Sequence, residues 1–247
     1  MRYRPELPLV LKDLSFTINA SEKVGIVGRT GAGKSSIIQA LFRIAEPEEG
    51  SIYKIGNADA LQLGLHSLRQ RISVIPQTPF LFKGSIKTNL DPFSHYEDQK
   101  LWDALEKANL KETIAKLPEQ LETNATNISE VFSVGQKQLL CLARALLRNN
   151  KFLVLDEATS NVDMETDRFI QECIRQRFAD TTVLTIAHRL NTIANYDKII
   201  VMDKGQVAEM GSPLELIERQ GVFSEMVEKT GANAEIIKKI AREAANK

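Results

Sequence analysis

A glycine-rich loop between two apolar runs is the feature that most constrains how this sequence can fold. The run Val24–Val27 is typical of a short buried strand, and Ser36–Phe42 is typical of a helix. Between them, Gly28–Ser35 follows the pattern GxxxxGK[ST], whose glycines let backbone N–H groups converge on phosphate oxygens. In this pattern the lysine, Lys34, reaches the β and γ phosphates, and the serine, Ser35, can ligate Mg²⁺. The loop therefore predicts a nucleoside triphosphate site.

Four further apolar runs share the length and β-propensity of Val24–Val27. They are Ile72–Ile75, Phe152–Leu155, Thr182–Ile186 and Lys198–Met202. Their nearly continuous hydrophobicity, in place of alternation, indicates strands covered on both faces. Because helix-length periodic segments lie between several of these runs, we expect an α/β fold with a mainly parallel sheet.

Other segments read as helices. Tyr96–Leu117 has helical periodicity without intervening strands, so we expect a helical subdomain from about residue 78 to about residue 148 that interrupts the sheet. Ser212-Pro213-Leu214-Glu215 is a capping-box sequence and predicts a helix ending near Ile217 to Arg219. Residues 234–245 predict an amphipathic tail helix with Ile236, Ile237 and Ile240 on one face. We find no internal repeat and no linker, so we expect one domain over 1–247.

Composition narrows the classes of partner. Apolar residues make up 43% of the chain and charged residues 26%, as in ordinary globular proteins. Lysine and arginine number 32, as do aspartate and glutamate, so nothing predicts a nucleic-acid partner. The cysteines, Cys141 and Cys173, lack metal-site spacing and are expected to be buried thiols in a reducing compartment. No apolar run is long enough for a bilayer, and the first residues lack a signal-peptide core.

Polar residues follow two of the predicted strands directly. Phe152–Leu155 runs into Asp156 and Glu157, at the end of a strand where α/β sheets place catalytic side chains. We expect Asp156 to hold Mg²⁺ through water and Glu157 to orient or deprotonate an attacking water. The run Thr182–Ile186 leads to His188, which we expect to contact a γ phosphate. The alternatives are an acidic pair that only caps a strand or helix, and a structural histidine.

The segment Phe132–Gln136 separates this chain from other nucleotide-binding proteins that share the loop. It precedes the helical run Lys137–Arg148, with Ser133 at the N-cap position. In its place before Asp156 it resembles the LSGGQ signature of ABC (ATP-binding cassette) ATPases. From Tyr3 to about Glu228 the motifs fall in that family's order, so the chain resembles an ABC ATPase domain over nearly its whole length.

The resemblance implies a P-loop fold with a mainly parallel sheet core, an N-terminal antiparallel β portion and an inserted helical subdomain. It also implies two cofactors, ATP and Mg²⁺. The nucleotide-binding residues would be Tyr3, which stacks on adenine, Gly28, Arg29, Thr30, Gly31, Ala32, Gly33, Lys34, Ser35, Ser36 and Gln77. The signature, which contacts ATP of a partner site, would be Ser133, Val134, Gly135 and Gln136. Ser35, Gln77 and Asp156 would hold Mg²⁺, residues 160–163 with Asp163 would form the D-loop, and Glu157, His188 and Lys34 would be catalytic.

Four sequence segments resemble one branch of the family, the C subfamily of multidrug-resistance-associated exporters. Within that branch they resemble the second nucleotide-binding domain. They cover residues 3–7, 24–36, 135–145 and 185–190. The resemblance implies that two domains of one polypeptide face each other head to tail, with each ATP between the loop of one and the signature of the other. It further implies attached transmembrane domains, a place on the cytoplasmic face of a membrane, and a longer parent chain.

Two departures from the family pattern concern the signature. Phe132 stands where the family has leucine, and residues 127–131 lack the usual glycine-rich stretch. In the C subfamily the site completed by this signature is commonly the weaker one. Glu157 is present where the subfamily's first domain often lacks it, which favours the hydrolytic second domain.

Two other functions compete with the exporter domain. One is a soluble ABC ATPase that acts on nucleic acid or ribosomes, against which the balanced charge argues. The other is a regulatory module that closes on ATP without hydrolysing it, against which Glu157 and His188 argue. An ATPase assay on the dimerising form separates this regulatory module from an ATPase.

Overall fold

A computed structural model describes residues 1–124, 132–158 and 162–246 of the chain. Its contacts divide the chain into two units. The first unit contains Met1–Ile72 and Asp180–Lys247, and the second contains Ser73–Ala179. The second unit is therefore an insertion in the sequence of the first.

The described strands, in chain order, are β1 Lys23–Gly28, β2 Lys54–Ile55, β3 Ala58–Asp59, β4 Ile72–Ile75, β5 Phe152–Asp156, β6 Thr182–Ile186, β7 Lys198–Asp203 and β8 Gln206–Gly211. Every apolar run that the sequence singled out forms one of these strands. Their burial explains the match, because the middle residues of β1, β5, β6 and β7 have almost no exposed surface.

In the first unit, β1 lies between β6 and β7 and runs parallel to both. Ile26 of β1 stands opposite Ile186 of β6 and Ile200 of β7. The final strand β8 is antiparallel to β7. The predicted N-terminal antiparallel portion is small: β2 and β3 form a short antiparallel hairpin, and the residues before β1 carry no strand.

The described helices are α1 Lys34–Leu41, α2 Leu65–Gln70, α3 Ile86–Leu90, α4 Asp98–Lys107, α5 Lys111–Ala115, α6 Val134–Arg148, α7 Met164–Arg177, α8 Pro213–Glu218, α9 Val222–Glu228 and α10 Ala234–Ala245. Short 3₁₀ turns lie at Gln120–Glu122, Leu190–Thr192 and Gly231–Asn233. Within the part of the chain that is described, no helix is both long and apolar enough to cross a bilayer.

The second unit contains Ser73–Ile75 of β4, the neighbouring strand β5 and the helices α3 to α7. Helices α4 and α6 pack against each other, with Leu101 and Leu105 buried on α4 and Leu140 and Leu142 buried on α6. Between residues 78 and 148 the described regular elements are helices joined by loops, as the periodicity predicts, with one isolated β-bridge between Ser85 and Asn124. The standing of this region as a subdomain with those limits stays a prediction.

The tail helix α10 packs in a core cluster of the first unit. Its residues Ala234 and Ile237 are buried there with Leu190 and Phe223, and Ile240 packs against the same cluster. The prediction that Ile236 shares this face is wrong, since 54% of its surface is exposed. Neighbouring residues of a helix point about 100° apart, so Ile236 lies at the edge of the apolar face when Ile237 points into the core.

Candidate functional site

The glycine-rich loop begins at a position that only glycine can occupy. Gly28 ends β1 with a φ of 155°, and a Cβ there would lie 2.4 Å from the carbonyl oxygen of Met202. Gly33, the residue before α1, has a φ of 101° in the left-handed region. This backbone conformation costs glycine little and other residues much. The loop therefore turns sharply from the sheet into the first turn of α1.

Lys34 folds back over this loop. The residue is only 7% exposed, and its Nζ donates hydrogen bonds to the carbonyl oxygens of Gly28, at 2.9 Å, and Arg29, at 3.3 Å. Among the described residues, no side chain caps α1, and its first turn contains no acid. The helix N-terminus and the ammonium group thus add positive charge at one point. This end of the sheet is suited to a phosphate.

Tyr3 lies beside the start of the same helix. Tyr3 is 49% exposed, and its hydroxyl is 2.8 Å from the hydroxyl of Ser36, which is buried. The preceding residue Ser35 is exposed, so its hydroxyl is available to an ion. The first unit therefore brings the predicted adenine-stacking residue next to the predicted phosphate loop.

Gly205 secures the loop, and the sequence analysis did not identify it. Its N–H donates to the carbonyl of Ala32 at 3.0 Å, and its carbonyl accepts from Lys12 N–H at 2.9 Å. Its φ is 85°, and a Cβ would lie 2.1 Å from the carbonyl oxygen of Val10. The only signal in the sequence is a glycine between two strands, which marks a turn without showing what the turn contacts.

His188 lies at the same edge of the sheet as the loop. Strands β1 and β6 are parallel neighbours, and the N–H of Ala187 donates to the carbonyl of Ile26 at 3.0 Å. Both strands end within two residues of this hydrogen bond. After β1 the backbone enters the loop at Gly28, and after β6 it continues to His188. The imidazole is exposed.

The second unit contains the predicted carboxylates. Asp156 ends β5, and the next residue, Glu157, has a φ of 47°. A left-handed conformation is uncommon for glutamate and costs of order 1–3 kcal/mol, so the surroundings must hold it. Gln77, two residues after β4, donates from its Nε2 to Oε2 of Glu157 at 2.5 Å. Two predicted site residues, 80 positions apart in sequence, therefore meet at the ends of neighbouring strands.

The predicted signature forms the first turn of α6. Ser133 caps the helix: its hydroxyl accepts from Gln136 N–H at 3.1 Å, and its own N–H donates to Gln136 Oε1 at 2.9 Å. This is the predicted N-cap in the form of a complete capping box. Phe132 is 6% exposed, so its larger ring is packed inside. Val134 is exposed.

Gly135 lies against Asp163, the predicted D-loop aspartate, in the second unit. A Cβ on Gly135 would lie 3.1 Å from Thr166 Oγ1 and 3.3 Å from Asp163 Oδ2. Asp163 caps α7 by accepting from the N–H groups of Glu165 and Thr166 and from the Thr166 hydroxyl. The Thr166 hydrogen bonds hold the pKa of the Asp163 carboxyl below its ordinary value. Residues 127–131, Ser160 and Asn161 lie outside the described residues.

Comparison with known proteins agrees with this arrangement. The family model described as ABC transporter matches residues 11–160. The chain therefore belongs to the ABC transporter family. Its fold also matches a solved structure of a bacterial Atm1-family ABC exporter with ATP bound, at a TM-score of 0.83 and 36% identity, over 90% of this chain and 39% of that one. The predicted fold class is confirmed.

Curated relatives lie in the predicted branch of the family. A probable multidrug resistance-associated protein, lethal(2)03659, from Drosophila melanogaster is 56% identical over 89% of this chain and 16% of its own. ATP-binding cassette sub-family C member 4 from Homo sapiens is 53% identical over 91% of this chain and 17% of its own. The resemblance to the C subfamily is thus confirmed. The chain spans about one sixth of the length of these relatives.

Proposed function

We propose that this chain is the second nucleotide-binding domain of an exporter of the C-subfamily kind, in which it binds ATP with Mg²⁺ and hydrolyses it. Family membership supports ATP as the nucleotide. The observation that carries the hydrolytic role is Glu157, which stands at a strand end in a strained conformation and accepts a hydrogen bond from Gln77. Strained, well-held carboxylates at strand ends are typical of catalytic sites.

ATP binding is assigned to the first unit. The phosphates would lie at the loop formed by Gly28, Arg29, Thr30, Gly31, Ala32, Gly33, Lys34, Ser35 and Ser36. Backbone N–H groups and the ammonium of Lys34 supply positive charge there. The exposed ring of Tyr3 would stack on the adenine.

The residue types proposed to hold Mg²⁺ suit this ion chemically. The Ser35 hydroxyl, the Gln77 carboxamide and the Asp156 carboxylate are oxygen donors, which Mg²⁺ prefers. Mg²⁺ is usually held by one or two carboxylates together with substrate phosphates. When bound, the ion would neutralise charge on the phosphates.

In the hydrolytic step, the oxygen of a water molecule attacks the γ phosphorus and the bond to the bridging oxygen of ADP breaks. The carboxylate of Glu157 orients this water and takes its proton, and His188 contacts the γ phosphate. The products are ADP and inorganic phosphate. Gln77 keeps Glu157 in place through the hydrogen bond at 2.5 Å.

A partner domain completes each site in this proposal. The hydroxyl of Ser133 and the N-terminus of α6 would face ATP held by a second nucleotide-binding domain of the same polypeptide, and the partner's signature would face the ATP of this chain. Closure and opening of the pair would move attached transmembrane domains on the cytoplasmic side of a membrane and export a substrate. The names of the relatives support this assignment.

The test is the dependence of ATP hydrolysis on the partner. Alone, the chain should hydrolyse ATP slowly, and addition of the first nucleotide-binding domain of the parent protein should raise turnover at the Glu157 site. Ser133→Arg in this chain should lower that turnover less than the equivalent change in the partner, because this signature completes the other site. Brisk hydrolysis by the isolated chain, linear in its concentration, would contradict the two-domain requirement. ATP binding without turnover in the pair would instead favour a regulatory module.

A further inference from the structure

Helix α6 begins with the predicted signature. It contains a second glutamine, five residues after the cap Ser133, and this glutamine is fully buried. Gln138 is 0% exposed. Its Nε2 donates to the carbonyl oxygen of Pro76 at 2.9 Å. Its Oε1 has no hydrogen-bond partner within residues 1–124, 132–158 and 162–246. A buried polar atom without a partner costs free energy, so stability alone does not explain a glutamine at this position.

The Pro76 carbonyl is well placed to control Gln77. This carbonyl belongs to the peptide unit whose nitrogen is that of Gln77, and peptide units are planar. A hydrogen bond at the oxygen therefore sets the orientation of the whole unit. The pyrrolidine ring of Pro76 fixes its own φ, so the backbone leading into Gln77 is restrained from both sides.

Gln77 in turn restrains Glu157, because the side-chain Nε2 of Gln77 donates a hydrogen bond to Oε2 of Glu157 at 2.5 Å. Two hydrogen bonds in series thus connect α6 to the carboxylate: Gln138 to the backbone of Pro76, and the next residue, Gln77, to Glu157. All four residues belong to the second unit.

We propose that Gln138 is a positioning residue for ATP hydrolysis, which holds the backbone before Gln77 so that Gln77 in turn holds Glu157. The inference rests on the proposed function, because it takes Glu157 as the group that prepares water. It connects the helix that begins with the signature to the carboxylate of the same chain. Gln138 itself contacts neither ATP nor water in this proposal.

The test compares Gln138→Met with a matched control. Methionine has the same length without a donor. The control is Asn150→Ala. It removes a different side-chain hydrogen bond, from Asn150 Nδ2 just after α6 to Ser73 Oγ on β4, at 3.2 Å. Loss of one such bond should lower kcat about three- to tenfold in Gln138→Met and leave the Kd for Mg-ATP within about twofold. Asn150→Ala should leave kcat unchanged.

A double-mutant cycle separates positioning from general stability. In a Gln77→Ala background, Gln138→Met should have no further effect on kcat, because the link is already broken. Independently of activity, hydrogen exchange in the 75–78 segment should become about three- to tenfold faster in Gln138→Met and not in Asn150→Ala. Equal loss of kcat with and without Gln77, or unchanged exchange, would overturn the proposal.

The remaining outcomes are also decisive. Gln138→Asn retains the amide on a side chain one methylene too short to reach Pro76, and should behave like Gln138→Met. If neither variant folds, Gln138 is needed for folding and the positioning role is wrong. If Glu157→Gln hydrolyses ATP normally, the proposed function fails. If Glu157→Gln is inactive and Gln138→Met has normal kcat and exchange, only the role of Gln138 fails.

Discussion

The side-chain amide of Gln77 donates to the carboxylate of Glu157, with Nε2 and Oε2 2.5 Å apart. A carboxylate has about four lone-pair sites, so the hydrogen bond from Gln77 does not by itself occupy all of them. This hydrogen bond therefore restrains the side chain of Glu157.

Lys34 should affect both affinity and rate. Lys34→Ala removes the ammonium from the loop, together with its hydrogen bonds to the Gly28 and Arg29 carbonyls. A charged hydrogen bond contributes about 1.5–3 kcal/mol, so the Kd for Mg-ATP, measured by calorimetry, should rise about ten- to a hundredfold. The exposed Lys54, changed to alanine in parallel, should have no effect. Unchanged affinity in Lys34→Ala would show that Lys34 does not bind phosphate.

Tyr3 should contribute through its ring. Stacking of a base on an aromatic side chain is worth about 1–3 kcal/mol, so Tyr3→Ala should weaken ATP binding about five- to a hundredfold, and Tyr3→Trp should retain it. Tyr3→Phe separates the ring from the hydroxyl that contacts Ser36 at 2.8 Å, and should also retain binding. Equal affinity of Tyr3→Ala and the unsubstituted chain would reject the stacking role.

The two thiols should be inert in the folded protein. Both cysteines are free and buried, and burial raises the pKa of Cys141 and raises that of Cys173 to about 11. Because the thiolate is the reactive form, neither should react with a thiol reagent at neutral pH until the chain unfolds. Labelling followed by mass spectrometry checks this. Rapid labelling of either cysteine in the native state would contradict its burial.

Asp163 should make stability depend on pH in a defined direction. Its folded pKa lies below the ordinary 3.8, so its contribution is present above the unfolded pKa and is lost as pH falls through the folded pKa. Asparagine caps helices about as well but does not titrate, so Asp163→Asn should remove this dependence. Urea unfolding of both proteins at neutral and acid pH measures it. The difference in unfolding free energy should shrink on acidification, and a constant difference would be contrary to expectation.

Local patterns predicted much of the fold and of the site. The strands were predictable because they are buried on both faces, and Ser133 and Ser212 because capping boxes are local in sequence. The glycine-rich loop was predictable because its pattern is also local in sequence. These features depend on residues within a few positions of one another.

What the sequence did not predict depends on contacts between distant residues. Gly205 donates a hydrogen bond to Ala32 of the loop, and Gln138 donates one to Pro76. No local sequence pattern predicts either hydrogen bond. The burial of Ile237 and the exposure of Ile236 depend on where α10 packs, so periodicity alone gave the helix without its exact face. The resemblance supplied Gln77 as a site residue but not its contact with Glu157.

The most direct test of the central claim is the behaviour of Glu157→Gln in the paired domains. Glutamine keeps the shape of the side chain and its contact with Gln77 but cannot accept a proton from water. We therefore expect a Kd for Mg-ATP close to that of the unsubstituted chain and a loss of phosphate release of about a hundredfold or more. Glu165→Gln, an exposed change in the same unit, should have no effect. Phosphate release by Glu157→Gln at nearly the unsubstituted rate would contradict the account.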